Sequence, residues 1–275
     1  MGAGLAEQIL LSAAPRNVED VVSLAAEYGL GVELLTFAMP DILDGDWRKT
    51  VADTQALLSP VRGMITLHGP FFDMAPGSLD RRINALVMDR YQQALDIAQM
   101  MGAKIVVFHA NFIASLKNED YRIGWQKRNV GFFKEVADYA GARGVIAAVE
   151  NMWEFDPDII CGVLAGVNHP NLRACLDVGH ASLFSDVPVD VWLRTVEPWL
   201  VHTHLNNNDH ILDVHRALGD PAGALDYNVI LAKLRTLPNP PSMTLEMDTT
   251  ADMLASLPYL GIAVGETASA TEDGG

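Results

Sequence analysis

Two patterns of hydrophobic and polar residues alternate along this chain. In the first, short apolar runs are bounded by glycine or polar residues, as is typical of strands that are buried on both faces. Strands of this kind form parallel sheets that are covered by helices. The runs predict strands at Gln8–Leu11, Gly31–Phe37, Gly63–His68, Lys104–His109, Val145–Asn151, Leu172–Asp177, Leu200–Leu205 and Ser242–Met247.

The second pattern lies between these runs and places apolar residues at every third or fourth position, which predicts amphipathic helices. One such face carries Ile83, Val87, Tyr91, Ala94, Ala98 and Met101. We interpret these stripes as core and not as cofactor-binding motifs. The predicted helices are Val18–Tyr28, Trp47–Leu58, Leu79–Met101, Tyr121–Ala142, Pro157–Val167, Val189–Val196, Leu225–Leu234 and Asp252–Leu257.

The regular alternation of strand and helix predicts a single α/β domain. Eight β-α units in a chain of 275 residues fit a (β/α)₈ TIM barrel better than an open doubly wound sheet. No Gly-x-Gly-x-x-Gly sequence follows the first strand, which argues against a dinucleotide fold. We therefore expect one barrel over residues 1–264 and a disordered acidic tail over residues 265–275.

The charge of the chain narrows the class of ligand. The formal net charge is −16, and the 19 lysines and arginines are scattered along the sequence. Nucleic-acid binding needs a basic surface that displaces counterions from phosphates, so it is disfavoured here. A small-molecule substrate is favoured instead.

The sequence carries no signal for export or for a membrane. No apolar run is long enough to span a bilayer, and the first ten residues lack a basic flank followed by a cleavable apolar segment. Two cysteines, Cys161 and Cys175, are too few for a disulfide framework. We expect a cytoplasmic protein without a membrane partner, and the sequence leaves a homo-oligomer open.

The segment Trp199–Asp220 concentrates the polar chemistry of the chain. His202 and His204 alternate on one face of a predicted strand, and the loop that follows contains Asp213 and His215. Imidazole nitrogens and carboxylate oxygens are the donors that zinc, manganese or cobalt accept. A polar strand end whose histidines are only hydrogen-bonded is the alternative, so the other strand ends decide between the two.

Most of the predicted strands end in a residue that can bind a metal. In a TIM barrel these ends meet at the face that carries the active site. Of the eight histidines, only His169 lies away from strand ends and their adjoining loops. The strand-end residues are His68, His109, Glu150, Asp177, His204 and Glu246, and His180, Asp213 and His215 lie in adjoining loops.

A divalent ion is the simplest way to bury so many carboxylates and imidazoles together. We predict metal ligation by Glu150, Asp177, His204 and Glu246 as a set. For the other five residues, a ligand role and a grip on substrate oxygens both remain open. His202 is predicted to lie one layer deeper as support, and Glu33 is predicted either to reach the substrate or to form a buried ion pair.

At these residues the chain resembles the xylose isomerase-like TIM barrels, a superfamily that includes sugar phosphate isomerases and epimerases and also endonuclease IV. The resemblance covers nearly the whole chain. Two departures from the sugar phosphate isomerase/epimerase group are Asn206–Asn208 and the segment Gly219–Gly223. The matching motifs are LHGPFFD at His68, VVFHAN at His109, AVENMWE at Glu150, CLDVGHA at Asp177, HLNNNDHILDVHRALGD at His204 and TLEMD at Glu246.

The resemblance implies a metal-dependent isomerase or epimerase of a sugar or sugar phosphate. Glu150 and Glu246 would act as acid and base, with proton transfer through a metal-stabilised enediolate. The cofactor would be one to three divalent ions per chain, drawn from Mn, Co, Mg or Zn. The expected contacts with a sugar substrate are His68, His109, His180, Phe71, Phe72, Trp153 and Arg216.

The same resemblance implies an alternative. In endonuclease IV the equivalent nine donors hold three zinc ions that cleave a phosphodiester, and all nine are present here. A multinuclear hydrolase or lyase would then act on a small phosphorylated substrate more readily than on DNA, because the chain is acidic. A barrel that binds a metal or a sugar without turnover would be expected to lack a ligand.

Overall fold

All eight predicted strands form, and they pair in chain order into a closed parallel barrel. The computed structural model describes residues 8–265. β1 pairs with β8, for example at Leu10 and Thr244, which closes the barrel and confirms the predicted (β/α)₈ fold. The strands are β1 Ile9–Ala13, β2 Gly31–Leu34, β3 Ile65–His68, β4 Ile105–His109, β5 Ile146–Glu150, β6 Leu172–Asp177, β7 Leu200–Leu205 and β8 Ser242–Leu245.

Helices surround the barrel, and each of the predicted ones is present within a few residues of its expected ends. No helix within residues 8–265 combines the length and the apolarity that a membrane crossing requires. Of the predicted tail, residues 266–275 lie outside the described part of the chain. The helices are α1 Val18–Tyr28, α2 Pro40–Asp44, α3 Trp47–Leu57, α4 Arg81–Met101, α5 Glu119–Gly141, α6 Asp158–Val167, α7 Val178–Leu183, α8 Val189–Val196, α9 Tyr227–Arg235 and α10 Thr250–Ser256.

Three segments differ most from the sequence prediction, namely β2, α7 and the short helix α2, which was not predicted. The second strand ends at Leu34 and not at Phe37, because Thr36–Ala38 form a buried 3₁₀ turn whose apolar residues mimic a longer strand. α7 was not predicted, and it begins directly after β6 because the Asp177 carboxylate accepts a hydrogen bond from His180 N at 2.6 Å. This short helix places His180 beside the strand ends.

The interior of the barrel changes from apolar to polar towards the active-site face. Its lower part is filled by a small apolar cluster that includes Leu10, Ile105 and Cys175. Cys175 pairs in register with His202, and Asp177 pairs with His204 two residues further on. The layer above the apolar cluster is therefore built from buried polar side chains, and it supports the strand ends.

Candidate active site

The carboxyl ends of β3 to β8 bring the predicted metal donors to one face of the barrel. Glu150, Asp177 and His204 are completely buried, and Glu246 is 8% exposed. Parallel strands in a closed barrel all end at the same rim, so residues far apart in sequence become neighbours. The donors separate into three groups, each with its ligand atoms within 4.8 Å of one another.

The central group consists of Glu150, Asp177, His204 and Glu246. His204 Nδ1 lies 3.0 Å from Glu150 Oε1 and 3.2 Å from Glu246 Oε2. Three carboxylates and one imidazole converge here from four different strand ends. This donor set suits a hard or borderline divalent cation such as Mn²⁺, Co²⁺ or Zn²⁺.

The second group consists of His68, His109 and Glu150. Glu150 Oε2 lies 3.4 Å from His68 Nε2 and 3.1 Å from His109 Nε2. Glu150 is therefore shared between two groups, with one carboxylate oxygen facing each.

The third group consists of His180, Asp213 and His215. His180 Nε2 lies 3.4 Å from Asp213 Oδ2, and His215 Nε2 lies 3.3 Å from Asp213 Oδ1. Asp213 and His215 come from the loop after β7, and the loop thus completes a group that the strand ends alone do not supply.

Backbone oxygens fix the orientation of two of these histidines. His68 Nδ1 is 2.9 Å from Gly69 O, and His180 Nδ1 is 3.1 Å from Asn151 O. A ring nitrogen that donates to a carbonyl leaves the other nitrogen unprotonated in the neutral imidazole. In the neutral form of either ring, Nε2 is therefore the nitrogen that faces the donor groups with a lone pair.

The three asparagines that depart from the family pattern hold the β7 loop in place. Asn206 Nδ2 donates to Asp177 Oδ2 at 2.9 Å, and Asn208 Nδ2 donates to Gly179 O at 2.9 Å. The backbone of Asn207 forms an isolated antiparallel bridge with Arg216. These bonds fix the ends of the loop that carries Asp213 and His215.

Charges within the site shift the pKa values of its groups. Burial raises the pKa of Glu150, but the nearby His204 and His109 outweigh burial and hold it well below its usual range. The same balance, with His204 as the main opposing charge, lowers the pKa of Glu246 to about 2. Both carboxylates are therefore ionised at neutral pH.

Burial dominates at Asp177, whose pKa rises to about 7. The pKa of His180 rises to about 10 because Asp177 and Asp213 outweigh the effect of burial. In the metal-free protein, protons bound to these groups therefore neutralise part of the negative charge of the carboxylates.

Several buried atoms fit a bound cation better than any protein partner. Among the described residues, Glu150 Oε2, His180 Nε2 and Glu246 Oε2 are buried without a hydrogen-bond partner. Each belongs to one of the donor groups, and an unpaired buried polar atom costs about 1–3 kcal/mol. The residues present therefore fit one or more divalent ions.

The donors open into a cavity of about 470 Å³. Its floor includes seven of the predicted site residues, whereas Asp177 and His204 lie buried beneath it. The Phe71 ring lies 4.8 Å from the His68 ring and 4.1 Å from the Phe72 ring, so the two phenylalanines form an apolar wall. The seven floor residues are His68, His109, Glu150, His180, Asp213, His215 and Glu246.

Two predicted substrate contacts do not line this cavity. Trp153 is 44% exposed and lies outside the lining. The Arg216 guanidinium points instead to carboxylates of its own loop, at 3.4 Å from Asp209 and 3.6 Å from Asp220. Arg216 thus helps to fold the β7 loop.

Sequence reasoning missed the part of the cavity that β1 contributes. Arg16 and Asn17 line the cavity mouth, and Arg16 pairs with Asp248 across it. Within the described residues, Arg16 is the one arginine or lysine in the lining. The polar residues Arg16 and Asn17, which lie in the loop just after β1, were the available signal.

The xylose isomerase-like TIM barrel model matches residues 22–260. This match includes β2 to β8 and every donor described above. The chain belongs to this family. Membership agrees with the resemblance of the strand-end motifs and with the closed barrel.

Several solved structures superpose over most of the chain. The TTHB071 protein from Thermus thermophilus, in a crystal soaked with ZnCl2, is 26% identical, covers 93% of this chain and 97% of its own, and gives a TM-score of 0.78. A D-tagatose 3-epimerase-like protein is 19% identical over 93% of this chain and 98% of its own, also at 0.78. A D-psicose 3-epimerase gives 0.69 at 15% identity, covering 86% of this chain and 84% of its own. The last two share the fold.

A curated relative is similar in sequence over a shorter span. The uncharacterised protein MJ1311 of Methanocaldococcus jannaschii is 24% identical over 199 residues, which cover 70% of this chain and 67% of the relative. The name of this relative states no activity. The solved structures that share the fold thus include a sugar epimerase, the D-psicose 3-epimerase.

Proposed function

We propose that this chain is a divalent-metal-dependent isomerase or epimerase that acts on a sugar or sugar phosphate. The observation that carries the proposal is the placement of two ionised carboxylates, Glu150 and Glu246, at 3.0 and 3.2 Å from His204 Nδ1 on the cavity floor. The sugar epimerases among the structural neighbours support the same substrate class.

The protein groups can perform the proton transfer that this chemistry needs. Glu150 and Glu246 reach the cavity from β5 and β8, so they can contact a bound substrate from two directions. Each is ionised at neutral pH and can accept a proton from a carbon next to a carbonyl. A divalent ion held by Glu150, Asp177, His204 and Glu246 would stabilise the negative charge that develops on the substrate oxygens.

The remaining floor residues would bind hydroxyl groups. His68 and His180 present Nε2 to the cavity, because their Nδ1 atoms are bound to backbone oxygens. The Phe71 and Phe72 rings would cover the C–H face of a sugar. Contacts from Trp153 or Arg216 would require their loops to move, so the proposal assigns the apolar wall to the two phenylalanines.

A second function is favoured by the sharing of Glu150. Its two oxygens face different donor groups, and the His180–Asp213–His215 group provides a third set. Two or three ions at these groups would suit hydrolysis or lysis of a small phosphorylated substrate. The net charge of −16 argues against DNA as that substrate.

Metal stoichiometry separates the two functions. The purified protein, loaded with Zn²⁺ or Mn²⁺ and dialysed, should retain about one ion per chain for the isomerase and two or three for the hydrolase. His215→Ala should then lower the count only if the third group binds an ion. An unchanged count would restrict His215 to contact with the substrate.

Proton exchange tests the isomerase directly. The loaded protein is incubated in D₂O with a panel of ketopentoses, ketohexoses and their phosphates, and deuterium at the carbons next to the carbonyl is measured by NMR. Wild type should exchange at least one sugar, and Glu246→Gln should abolish that exchange. Absence of exchange with the whole panel, together with two or three ions per chain and cleavage of a small phosphoester, would favour the hydrolase.

A further inference from the structure

A buried carboxylate beneath the donor groups contacts the central histidine from below. Glu33 lies on β2, is completely buried and does not line the cavity. Its Oε1 atom is 2.7 Å from His204 Nε2, the ring nitrogen that faces away from Glu150 and Glu246. The same histidine thus has carboxylates on both sides, and only the Glu150 and Glu246 side opens to the cavity.

Glu33 Oε1 faces His204 within the buried layer, where the Cys175 thiol also contacts this histidine. Neither Glu33 Oε1 nor His204 Nε2 makes an aligned hydrogen bond in the described part of the chain, although they are 2.7 Å apart. Both atoms are inaccessible to water, so leaving them unpaired would be costly.

The other oxygen of Glu33 is fixed by several neighbours. Glu33 Oε2 accepts a hydrogen bond from Thr66 Oγ1 at 2.7 Å and lies 2.7 Å from His202 Nε2. His202 Nδ1 is in turn 2.6 Å from Ser242 Oγ. Residues of β3, β7 and β8 therefore hold the carboxylate of Glu33 in place, with its Oε1 atom beside His204.

Glu33, His202 and His204 could themselves be considered as a donor group, since their atoms lie within 4.8 Å of one another. Glu33 Oε2 and His202 Nε2 are, however, already bonded to each other, and all three side chains are completely buried. This arrangement fits a supporting network better than an ion site.

We infer that Glu33 is a positioning residue, which holds His204 with its proton on Nε2 and presents Nδ1 as the ligand of the central group. A carboxylate that accepts the distal N–H of a metal-bound histidine fixes its tautomer, orients the ring and raises the basicity of the coordinating nitrogen. The distal nitrogen of His204 faces the Glu33 carboxylate at 2.7 Å, whereas those of His68 and His180 contact backbone oxygens. The inference rests on the proposed metal dependence.

The test is the affinity for Zn²⁺, measured by competition with a chromophoric chelator, in wild type, Glu33→Gln, Glu33→Ala and Thr66→Val. Glu33→Ala should lower the affinity for one Zn²⁺ ion by about 10–100-fold, which is the usual effect of losing such a partner. Glu33→Gln can still accept the N–H through its amide oxygen, so it should recover part of the affinity. Thr66→Val is the matched control, because it removes a bond to Oε2 and leaves the contact between Oε1 and His204.

A spectroscopic measurement tests the orientation itself. Long-range ¹H–¹⁵N correlation of the histidines in the zinc-loaded protein should show His204 bound through Nδ1 and protonated at Nε2 in wild type. In Glu33→Ala this signature should be lost or mixed, while His68 and His180 keep theirs.

Wild-type affinity in both Glu33 variants, or an equal loss in Thr66→Val, would overturn the inference and leave the metal site standing. A wild-type protein that binds no divalent ion would instead remove the proposed function and the inference with it. Thermal unfolding of each metal-free variant verifies that it is folded before the comparison is made.

Discussion

Glu150 Oε1 lies 3.0 Å from His204 Nδ1, although 54 residues separate the two along the chain. The contact arises because β5 and β7 flank β6 and all three end at the same rim of the barrel. The other oxygen of Glu150 faces His68 and His109. One side chain therefore joins two donor groups.

The first prediction concerns this shared carboxylate. Glu150→Gln removes the charge that both groups use, so it should lower the number of bound ions by more than any substitution of a residue that belongs to one group. His68→Ala, which affects only the second group, is the matched comparison. Elemental analysis after dialysis gives the counts, and a Glu150→Gln protein with the wild-type ion content would show that Glu150 is not a shared ligand.

The convergence of the donors could be predicted because a closed parallel barrel leaves no freedom in where its strand ends meet. A donor residue that ends an apolar run, such as His109 or Asp177, can then be placed at this rim from the sequence alone. The sequence could not decide whether Glu33 contacts the substrate or forms a buried ion pair. The answer depends on which way a β2 side chain points in a tilted strand.

Loop residues were harder to place than strand residues. Trp153 and Arg216 follow strands in the sequence, but the direction of a loop side chain depends on contacts that have no simple periodicity. Arg216 illustrates this, because Asp209 and Asp220 of the same loop attract it away from the cavity. Arg16 was missed because β1 ends without a metal donor, so nothing in the sequence marked the residues after β1 as part of the site.

The second prediction concerns Gly179 in α7. A Cβ atom at this position would lie 1.9 Å from Asn206 Oδ1 and 2.8 Å from Asn206 Cγ. Asn206 is buried and donates to Asp177, so it cannot move without losing that bond. Gly179→Ala should therefore lower the free energy of unfolding by about 1–3 kcal/mol.

A glycine without neighbours provides the control for this substitution. Gly131 lies within α5, and an added Cβ there meets nothing within 4 Å. Gly131→Ala should stabilise the protein by about 0.5–1 kcal/mol, because alanine favours a helix interior. Denaturant titrations of both variants decide the matter; equal effects would mean that the contact with Asn206 is easily relieved.

The third prediction concerns pH and Glu154. This carboxyl is 1% exposed, accepts hydrogen bonds from Met152 N and Phe112 N, and has its pKa raised to about 7 by burial. A carboxyl whose pKa is higher in the folded protein than in the unfolded chain favours folding at low pH. Its contribution is lost as the pH rises towards the folded value.

Wild type should therefore lose stability relative to Glu154→Gln as the pH rises from 5 to 8, by about 2–3 kcal/mol. The measurement is chemical denaturation of both proteins in EDTA at the two pH values. Glu27→Gln, at an exposed position of α1, should show no such change. A difference between wild type and Glu154→Gln that does not vary with pH would contradict the raised pKa.

The fourth prediction concerns removal of the metal. Unpaired donor atoms such as Glu150 Oε2 and His180 Nε2 make the metal-free site costly, so an ion that binds the folded state alone should stabilise it. At a free ion concentration of 100 times Kd the gain is about 2.7 kcal/mol, which raises Tm by roughly 5–10 °C in a domain of this size. Thermal unfolding in Zn²⁺ or Mn²⁺ against EDTA measures it. The gain should shrink steadily as the pH falls, because protons compete for the histidine nitrogens and the pKa of His180 in the metal-free protein is raised to about 10. Glu246→Gln should show a smaller gain than wild type, and an equal gain in the two proteins would place the stabilising ion away from the central group.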